Sequence, residues 1–324
     1  MVAAFVLSAP AAAQTLPAGL REREVSVPGP VPLPGTLTIP AGTGPFPGVI
    51  IVHGSGGGDR DLTLGSTPPH SLIKPYRDLA WGLAQRGVAV LRYDKRTRVQ
   101  PMWFAGKAFT VFDETVDDAV SALALLRAQP EVQRARSFLI GHSLGGMLAP
   151  RIAQVDGKLA GIILLAGATR ANLVDQIESQ LAYIQSVSGA DSAAVKAQRT
   201  QLAPLLERIR ALTPADSADT RILLGAPARY YLDLAGYDPA RAMRALAAPL
   251  LVLQGLRDYQ VTPAQLDDWL AALGPRANLE VHRYEGLNHL FLRGAGPPSP
   301  ADYNHAGQVD PQVIADIAGW IAKH

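Results

Sequence analysis

Apolar, often β-branched runs recur along the chain at Val49–Val52, Val88–Tyr93, Phe138–Ile140, Ile162–Leu165, Leu250–Leu253 and Leu279–Tyr284. Most are continuous rather than alternating, the pattern of strands buried on both faces. Between them, apolar positions return at helical spacing over Tyr76–Gln85, Val116–Arg127, Leu144–Gln154 and Pro263–Leu273. Asp310-Pro311 reads as an N-cap followed by proline at the first helical position, opening a last helix that runs to Ala322. Strand alternating with helix predicts an α/β protein with a doubly wound, mostly parallel sheet. Ahead of it, Glu24–Val27 and Thr36–Ile39, joined by a Pro/Gly-rich turn, predict an antiparallel hairpin on the sheet's edge.

The rhythm breaks between Arg170 and Ala248, where no convincing strand occurs. Val174, Ile177, Leu181 and Ile184 share one helical face, and Leu202, Leu205, Leu206, Ile209 and Leu212 share another. The expected organisation is a core of residues 14–169 and 249–324, with residues 170–248 inserted as a helical cap over the carboxyl edge of the sheet. No internal repeat of fixed period is present.

Composition narrows the function classes. The 30 Lys and Arg nearly balance the 28 Asp and Glu, with no basic stripe, so nucleic acid is not an expected partner. Cysteine is absent, which removes disulfides, thiolate nucleophiles and cysteine-ligated metals together. No two histidines have zinc-ligand spacing and no H-E-x-x-H occurs, so neither a metal nor a cofactor is expected. The opening "MVAAFVLSAPAAAQTLP" holds an apolar run ending in Ala11-Ala12-Ala13, an A-x-A cleavage pattern with Gln14 as the new terminus. That run is too short to span a bilayer. Residues 1–13 therefore read as a signal peptide directing the protein to the periplasm or outside the cell. The basic region such peptides carry is missing, so the expected signal peptide is incomplete and its true start is expected upstream; a disordered alanine-rich tail on a cytoplasmic protein is the alternative.

The chemistry centres on "FLIGHSLGG", Phe138–Gly146. Gly141-His142-Ser143-Leu144-Gly145 fits G-x-S-x-G, in which a strand delivers a serine into a turn so tight that residues two away must lack side chains. The hydroxyl then stands above the sheet, and the following helix aims its N-terminus at it. An ordinary strand-to-helix turn also fits the pentapeptide, so the rest of the chain must decide. A serine needs a base, and the base an orienting acid; on this topology they follow in the order acid, then histidine. Leu250–Leu253 runs into Gln254-Gly255-Leu256-Arg257-Asp258, and Leu279–Tyr284 into Glu285-Gly286-Leu287-Asn288-His289. Asp258 and His289 thus stand where the acid and base are required, although Asp258 alone also reads as a helix cap. Among the other histidines, His282 lies within a strand, His70 and His305 in proline-rich loops and His324 at the terminus. His142 reads as packing near the site.

Acyl transfer also needs donors for the developing oxyanion. The backbone N–H of Leu144 is one. The second is expected from the loop "HGSGGGDRD" after Val49–Val52, at Ser55, with Gly56 as the alternative. Asp59, Arg60 and Asp61, with Arg92, Asp94, Lys95 and Arg96, read as ion pairs holding that loop ahead of substrate contacts. Trp81 and Trp269 read as packing. Trp103, Phe104, Tyr230 and Tyr231 fit either an acyl pocket or burial under the cap.

With these motifs in place, the chain resembles an α/β-hydrolase, and more narrowly the bacterial esterase group with an H-G-S-G-x-x-D-R-D loop. The resemblance rests on "PFPGVIIVHGSGGGDRD", "YRDLAWGLAQRGVAVLRYDKRT", "FTVFDETVDDAVSALALL", "IGHSLGG", "LLVLQGLRDYQVT" and "GLNHLF". It runs from about Val25 to the C-terminus and is weakest in the cap. It implies Ser143, Asp258 and His289 as triad, the loop at Ser55 as oxyanion contributor, and a small ester as substrate. Tyr76 stands where phenylalanine is common in the group, a departure that leaves the candidate triad untouched. Peptidase and thioesterase activity use the same machinery, and a catalytically idle binding protein is the rival of another class.

Overall fold

The continuity of the apolar runs has a direct structural cause: consecutive residues of one strand feed two separate cores. The computed structural model describes residues 15–64, 73–169, 172–187 and 193–324. The expected leader at residues 1–13, His70 and the opening of the cap at residues 170–171 lie outside them. Among the described residues the strands are β1 (Arg21–Val27), β2 (Leu33–Ile39), β3 (Phe46–Val52), β4 (Ala89–Tyr93), β5 (Val132–His142), β6 (Gly161–Leu165), β7 (Leu250–Gly255) and β8 (Leu279–Tyr284). They form one sheet in the order β1-β2-β4-β3-β5-β6-β7-β8. The β1–β2 and β2–β4 pairs are antiparallel and all later pairs parallel, so the expected hairpin does sit at an edge.

The helices follow as α1 (Pro75–Ala84), α2 (Arg96–Val99), α3 (Asp117–Arg127), α4 (Leu144–Asp156), α5 (Leu173–Val187), α6 (Ala193–Arg210), α7 (Ala228–Ala235), α8 (Pro239–Arg244), α9 (Pro263–Leu273) and α10 (Pro311–Lys323). Val49, Ile51, Phe138, Ile140, Ile163, Leu165, Leu251 and Leu253 point to α1 and α10. Their neighbours Ile50, Val52, Leu139, Ile162, Leu164, Leu250 and Val252 join the core that α3, α4 and α9 cover on the other face. This period-two division is what a strand's alternating side chains impose. Each such fully buried aliphatic contributes about 1.5–3 kcal/mol. Asp310 caps α10 by accepting from the Gln312 N–H at 2.9 Å, as the Asp-Pro signal predicts.

Two details differ from the sequence expectation. Val116 belongs to a π-helical turn, Phe112–Val116, that precedes α3, because the wider turn swings Glu114 inward to a buried partner. Within the helical insertion, α5 pairs with α6, whereas α8 packs on the core helices α4 and α9. No helix among the described residues is long and apolar enough to cross a membrane.

Candidate active site

Parallel strands end at the same edge, so β3, β5, β7 and β8 deliver His53, Ser143, Asp258 and His289 to one side of the sheet, the place where open α/β sheets bind ligands. Ser143 stands between β5 and α4 with φ 56° and ψ −117°, a conformation L-residues adopt only where the surroundings enforce it. The enforcement is visible. The Ser143 N–H donates to the Leu165 carbonyl at 3.0 Å, and its own carbonyl accepts from the Met147 N–H at 3.0 Å. A Cβ at Gly141 would lie 2.4 Å from the Gly145 carbonyl oxygen, and one at Gly145 would lie 2.5 Å from that of Val52. Only glycine allows helix and strands to close this far, which is why the pattern needs glycine on both sides of the serine. Leu144 opens α4, so its N–H has no partner within the helix and carries the positive end of the dipole.

Asp258 and His289 come together although they are far apart in sequence. His289 Nδ1 lies 2.7 Å from Asp258 Oδ2, with the side chains 5% and 0% exposed. The carboxylate accepts, so Nδ1 carries the proton and Nε2 of the neutral ring is left as the acceptor. Asp258 is held in turn. Its Oδ1 accepts from the Gln260 and Val261 N–H groups at 2.8 and 2.9 Å, and Gln254 Nε2 reaches Oδ2 at 3.3 Å. Asp258 does not cap the helix at Pro263, whose N-cap is Thr262; one of its oxygens organises the turn ahead of that helix and the other meets the imidazole. Asn288 shapes the histidine's loop, its Oδ1 accepting from the Leu290 and Leu292 N–H groups at 3.0 and 3.1 Å.

The oxyanion-loop candidates leave β3 as His53-Gly54-Ser55-Gly56. A Cβ on Gly54 would stand 3.1 Å from Ser143 Cβ, so backbone and serine are in close approach. The Gly54 N–H is already given to Tyr76 Oη at 3.4 Å, while Ser55 and Gly56 are exposed. That leaves Ser55 the first N–H of the loop not engaged by Tyr76. The charged residues around the loop pair with one another. Arg60 meets Asp94 at 3.1 Å and Glu24 at 2.5 Å, Lys74 meets Asp61 at 3.1 Å, and Arg92 meets Asp61 and Glu22. Asp59 accepts from the Thr63 N–H at 2.8 Å. These contacts are structural, as the sequence reading preferred.

A hydrogen-bond chain joins this loop to the histidine. His142 Nε2 lies 3.0 Å from the His289 carbonyl oxygen, which can only accept, so Nε2 is the protonated nitrogen. Tyr76 Oη lies 2.9 Å from His142 Nδ1. Burial, reinforced by His289 beside it, drives the His142 pKa down to about 3, so the ring is neutral and Nδ1 accepts from the tyrosine hydroxyl. The order of donors is thus fixed: Gly54 N–H to Tyr76, Tyr76 to His142, His142 to the His289 carbonyl. Tyr76 touches none of the three candidate triad side chains, as expected, but its hydroxyl joins the oxyanion loop to His142. His53 is also buried and pushed down to about 4, giving its Nε2 proton to the Tyr93 carbonyl at 2.7 Å.

The remaining assignments sort by contact. His282 pairs with Glu280 and Asp316 on the sheet's outer strand, and His324 packs on Trp320. Trp269 is fully buried and donates to the Gly167 carbonyl at 2.8 Å, whereas Trp81 is half-buried and bonds Glu22 at 2.8 Å. Trp103, Phe104, Phe109, Tyr230 and Tyr231 form a continuous series of edge and tilted ring contacts, packing cap against core. The cap also rests on the acid's loop: Gln180 Nε2 donates to the Gln260 carbonyl at 3.0 Å, and Tyr183 stacks on Tyr259 at 5.4 Å. A cavity of about 480 Å³ lies among α5, α6 and α7, but neither Ser143 nor His289 lines it. Tyr76, Gln254 and Asn288 went unassigned as functional positions in the sequence, since no local pattern marks a residue whose partner is a distant backbone group.

This frame is that of the serine hydrolases built on the α/β-hydrolase fold, and the protein is one of that class. Within it, the chain belongs to the Hydrolase_4 family, described as serine aminopeptidase, S33, whose pattern matches residues 70–294. It is 38% identical over 308 residues to Esterase EstD of Thermotoga maritima, covering 95% of this chain and 69% of that protein. Among solved structures, a hypothetical protein of Pseudomonas aeruginosa superposes with a TM-score of 0.58 at 16% identity, covering 96% of each chain. Est1E of Butyrivibrio proteoclasticus does so with a TM-score of 0.57 at 13% identity, covering 93% of this chain and 99% of that one. At such identities these two speak for the fold alone.

Proposed function

We propose that the protein hydrolyses carboxylic esters through an acyl-enzyme, with Ser143 as nucleophile, His289 as general base and acid, and Asp258 as the orienting carboxylate. The observation that carries this reading is the buried His289–Asp258 contact at 2.7 Å beside the strained turn bearing Ser143. With Nδ1 protonated, Nε2 of His289 takes the Ser143 proton as Oγ attacks the ester carbonyl. The tetrahedral oxyanion is bound by the N–H groups of Leu144 and Ser55. His289 then protonates the departing alcohol, and the Asp258 carboxylate stabilises the imidazolium between these transfers. Water activated by the same Nε2 releases the acid and restores the hydroxyl.

The name of the Thermotoga relative supports ester hydrolysis, whereas the family's description favours an amide bond cleaved from a peptide. Both use this machinery and differ in whether an alcohol or an amine must leave. Comparing kcat/KM for a nitrophenyl ester, the matching nitroanilide and the thioester tests the reading. The ester is expected to lead, and a leading anilide would replace esterase by peptidase. Export belongs to the same proposal: recovery from the periplasm or medium with Gln14 as first residue supports it, and an intact cytoplasmic chain opposes it.

A further inference from the structure

Lys95 is a lysine buried to 2% exposure, with two of its hydrogen bonds given to the loop at Ser55. Its Nζ donates to the Gly54 carbonyl at 3.0 Å, and its own backbone N–H donates to the Gly58 carbonyl at 3.1 Å. One residue therefore grips both ends of the glycine-rich loop. Nζ is also 2.7 Å from Glu114 Oε1, while the Tyr230 hydroxyl of the cap donates to Glu114 Oε2 at 2.9 Å. Glu114 reaches inward from the π-helical turn, an irregularity frequent at functional sites. Burying an ion pair of this kind gains little stability over apolar residues of the same volume, so stability alone does not account for it.

The geometry points to Lys95 as a positioning residue for the oxyanion donor of Ser55. The Gly54 carbonyl and the Ser55 N–H belong to the same planar trans peptide unit and point in opposite directions. Fixing the carbonyl toward Nζ fixes the N–H away from it. The ammonium also polarises that peptide, which strengthens the N–H as a donor. Glu114 holds Nζ in place, and Tyr230 makes the carboxylate's position depend on the docked cap. The inference rests on the reading of Ser143 as nucleophile and adds to it how the second donor is aimed.

The test compares wild type with Lys95→Met and Lys95→Met/Glu114→Gln. The single variant leaves a buried, unpaired carboxylate and is expected to lose stability. The double variant removes that charge and recovers the wild-type melting temperature, yet still lacks the grip on Gly54. In every variant that folds, kcat on a neutral nitrophenyl ester is expected to fall about 10- to 100-fold, part of the loss seen when an oxyanion donor is deleted, with KM within about twofold. Affinity for an aryl trifluoromethyl ketone should weaken by the same factor as kcat/KM, because Ser143 adds to that ketone to leave an oxyanion in the same place. A folded variant with wild-type kcat and ketone affinity, or one whose loss is all in KM, overturns the role. Labelling of wild type by a fluorophosphonate separates this from the underlying reading: an adduct absent from Ser143 sinks that reading, whereas labelled Ser143 with unaffected variants sinks only the positioning role.

Discussion

Acidification should destabilise this protein through two histidines that the fold keeps neutral. His53 is driven down to about 4 and His142 to about 3 from an ordinary 6.5, in both cases chiefly by burial. In the unfolded chain both titrate near 6.5. Between that value and the folded pKa the unfolded state binds the extra proton, so stability rises with pH and is lost as pH falls. The stabilisation is complete above about pH 6.5 and drains away toward pH 4 for His53 and pH 3 for His142. At pH 5 each group costs about 2 kcal/mol relative to pH 8, at about 1.4 kcal/mol per pH unit. Together that is about 4 kcal/mol, a large share of the stability of an ordinary domain. Buried Asp78 and Asp118, whose carboxyls burial pushes up, act in the opposite direction, so variants rather than the wild-type slope carry the test. Urea unfolding at pH 8 and pH 5, followed by fluorescence of buried Trp269 and Trp320, should show a loss smaller by about 2 kcal/mol in His142→Asn than in wild type, whatever its stability at pH 8. Equal losses in the two proteins would refute the argument that His142 is held neutral in the fold.

Three further outcomes follow from specific contacts. Asp258→Asn should keep the wild-type melting temperature but lower kcat about 10³- to 10⁴-fold, since an amide favours the wrong imidazole tautomer; steady-state kinetics on a neutral ester checks this. Gly145→Ala places a methyl 2.5 Å from the Val52 carbonyl oxygen, where only backbone can yield; denaturation should show a loss of about 3 kcal/mol, at the upper end for overpacking, together with lost turnover. Arg96→Met leaves Asp118 buried without its guanidinium partner, and should cost about 3–5 kcal/mol in urea denaturation.

The sheet was legible because its central strands are buried on both faces, so Ile50, Ile140 and Leu251 lie in unbroken apolar runs. At the edges, the pattern marks β8 with its observed bounds although that strand is only partly buried, whereas it marks β1 from Glu24 rather than Arg21 because the first residues are charged and exposed. Ser143, Asp258 and His289 could be nominated because each follows a strand, and parallel strands bring their carboxyl ends to one edge. Their supporting residues could be nominated only in part: Lys95 reads as one of the charged residues holding the oxyanion loop, but neither its bond to Gly54 nor the role of Tyr76 was legible. Tyr76 meets His142 across 66 positions and Lys95 meets Gly54 across 41, and no local periodicity encodes such pairs. The π-helical turn was hidden for a related reason: helical spacing was legible only from Val116, and the wider turn over Phe112–Val116 is set by where Glu114 finds a partner.

Whether Ser143 forms the covalent intermediate is decided by trapping that intermediate. The intact protein is reacted with a fluorophosphonate, digested, and the modified peptide sequenced by mass spectrometry, with ester turnover followed in parallel. With Ser143 as the proposed nucleophile on its strained turn and His289–Asp258 as the proposed base and acid, one adduct is expected, on Ser143, whose formation abolishes turnover stoichiometrically. Ser143→Ala should neither label nor turn over, and should melt as wild type does, since the hydroxyl serves chemistry rather than core packing. An adduct on another residue, or full ester turnover in Ser143→Ala, would contradict Ser143 as nucleophile.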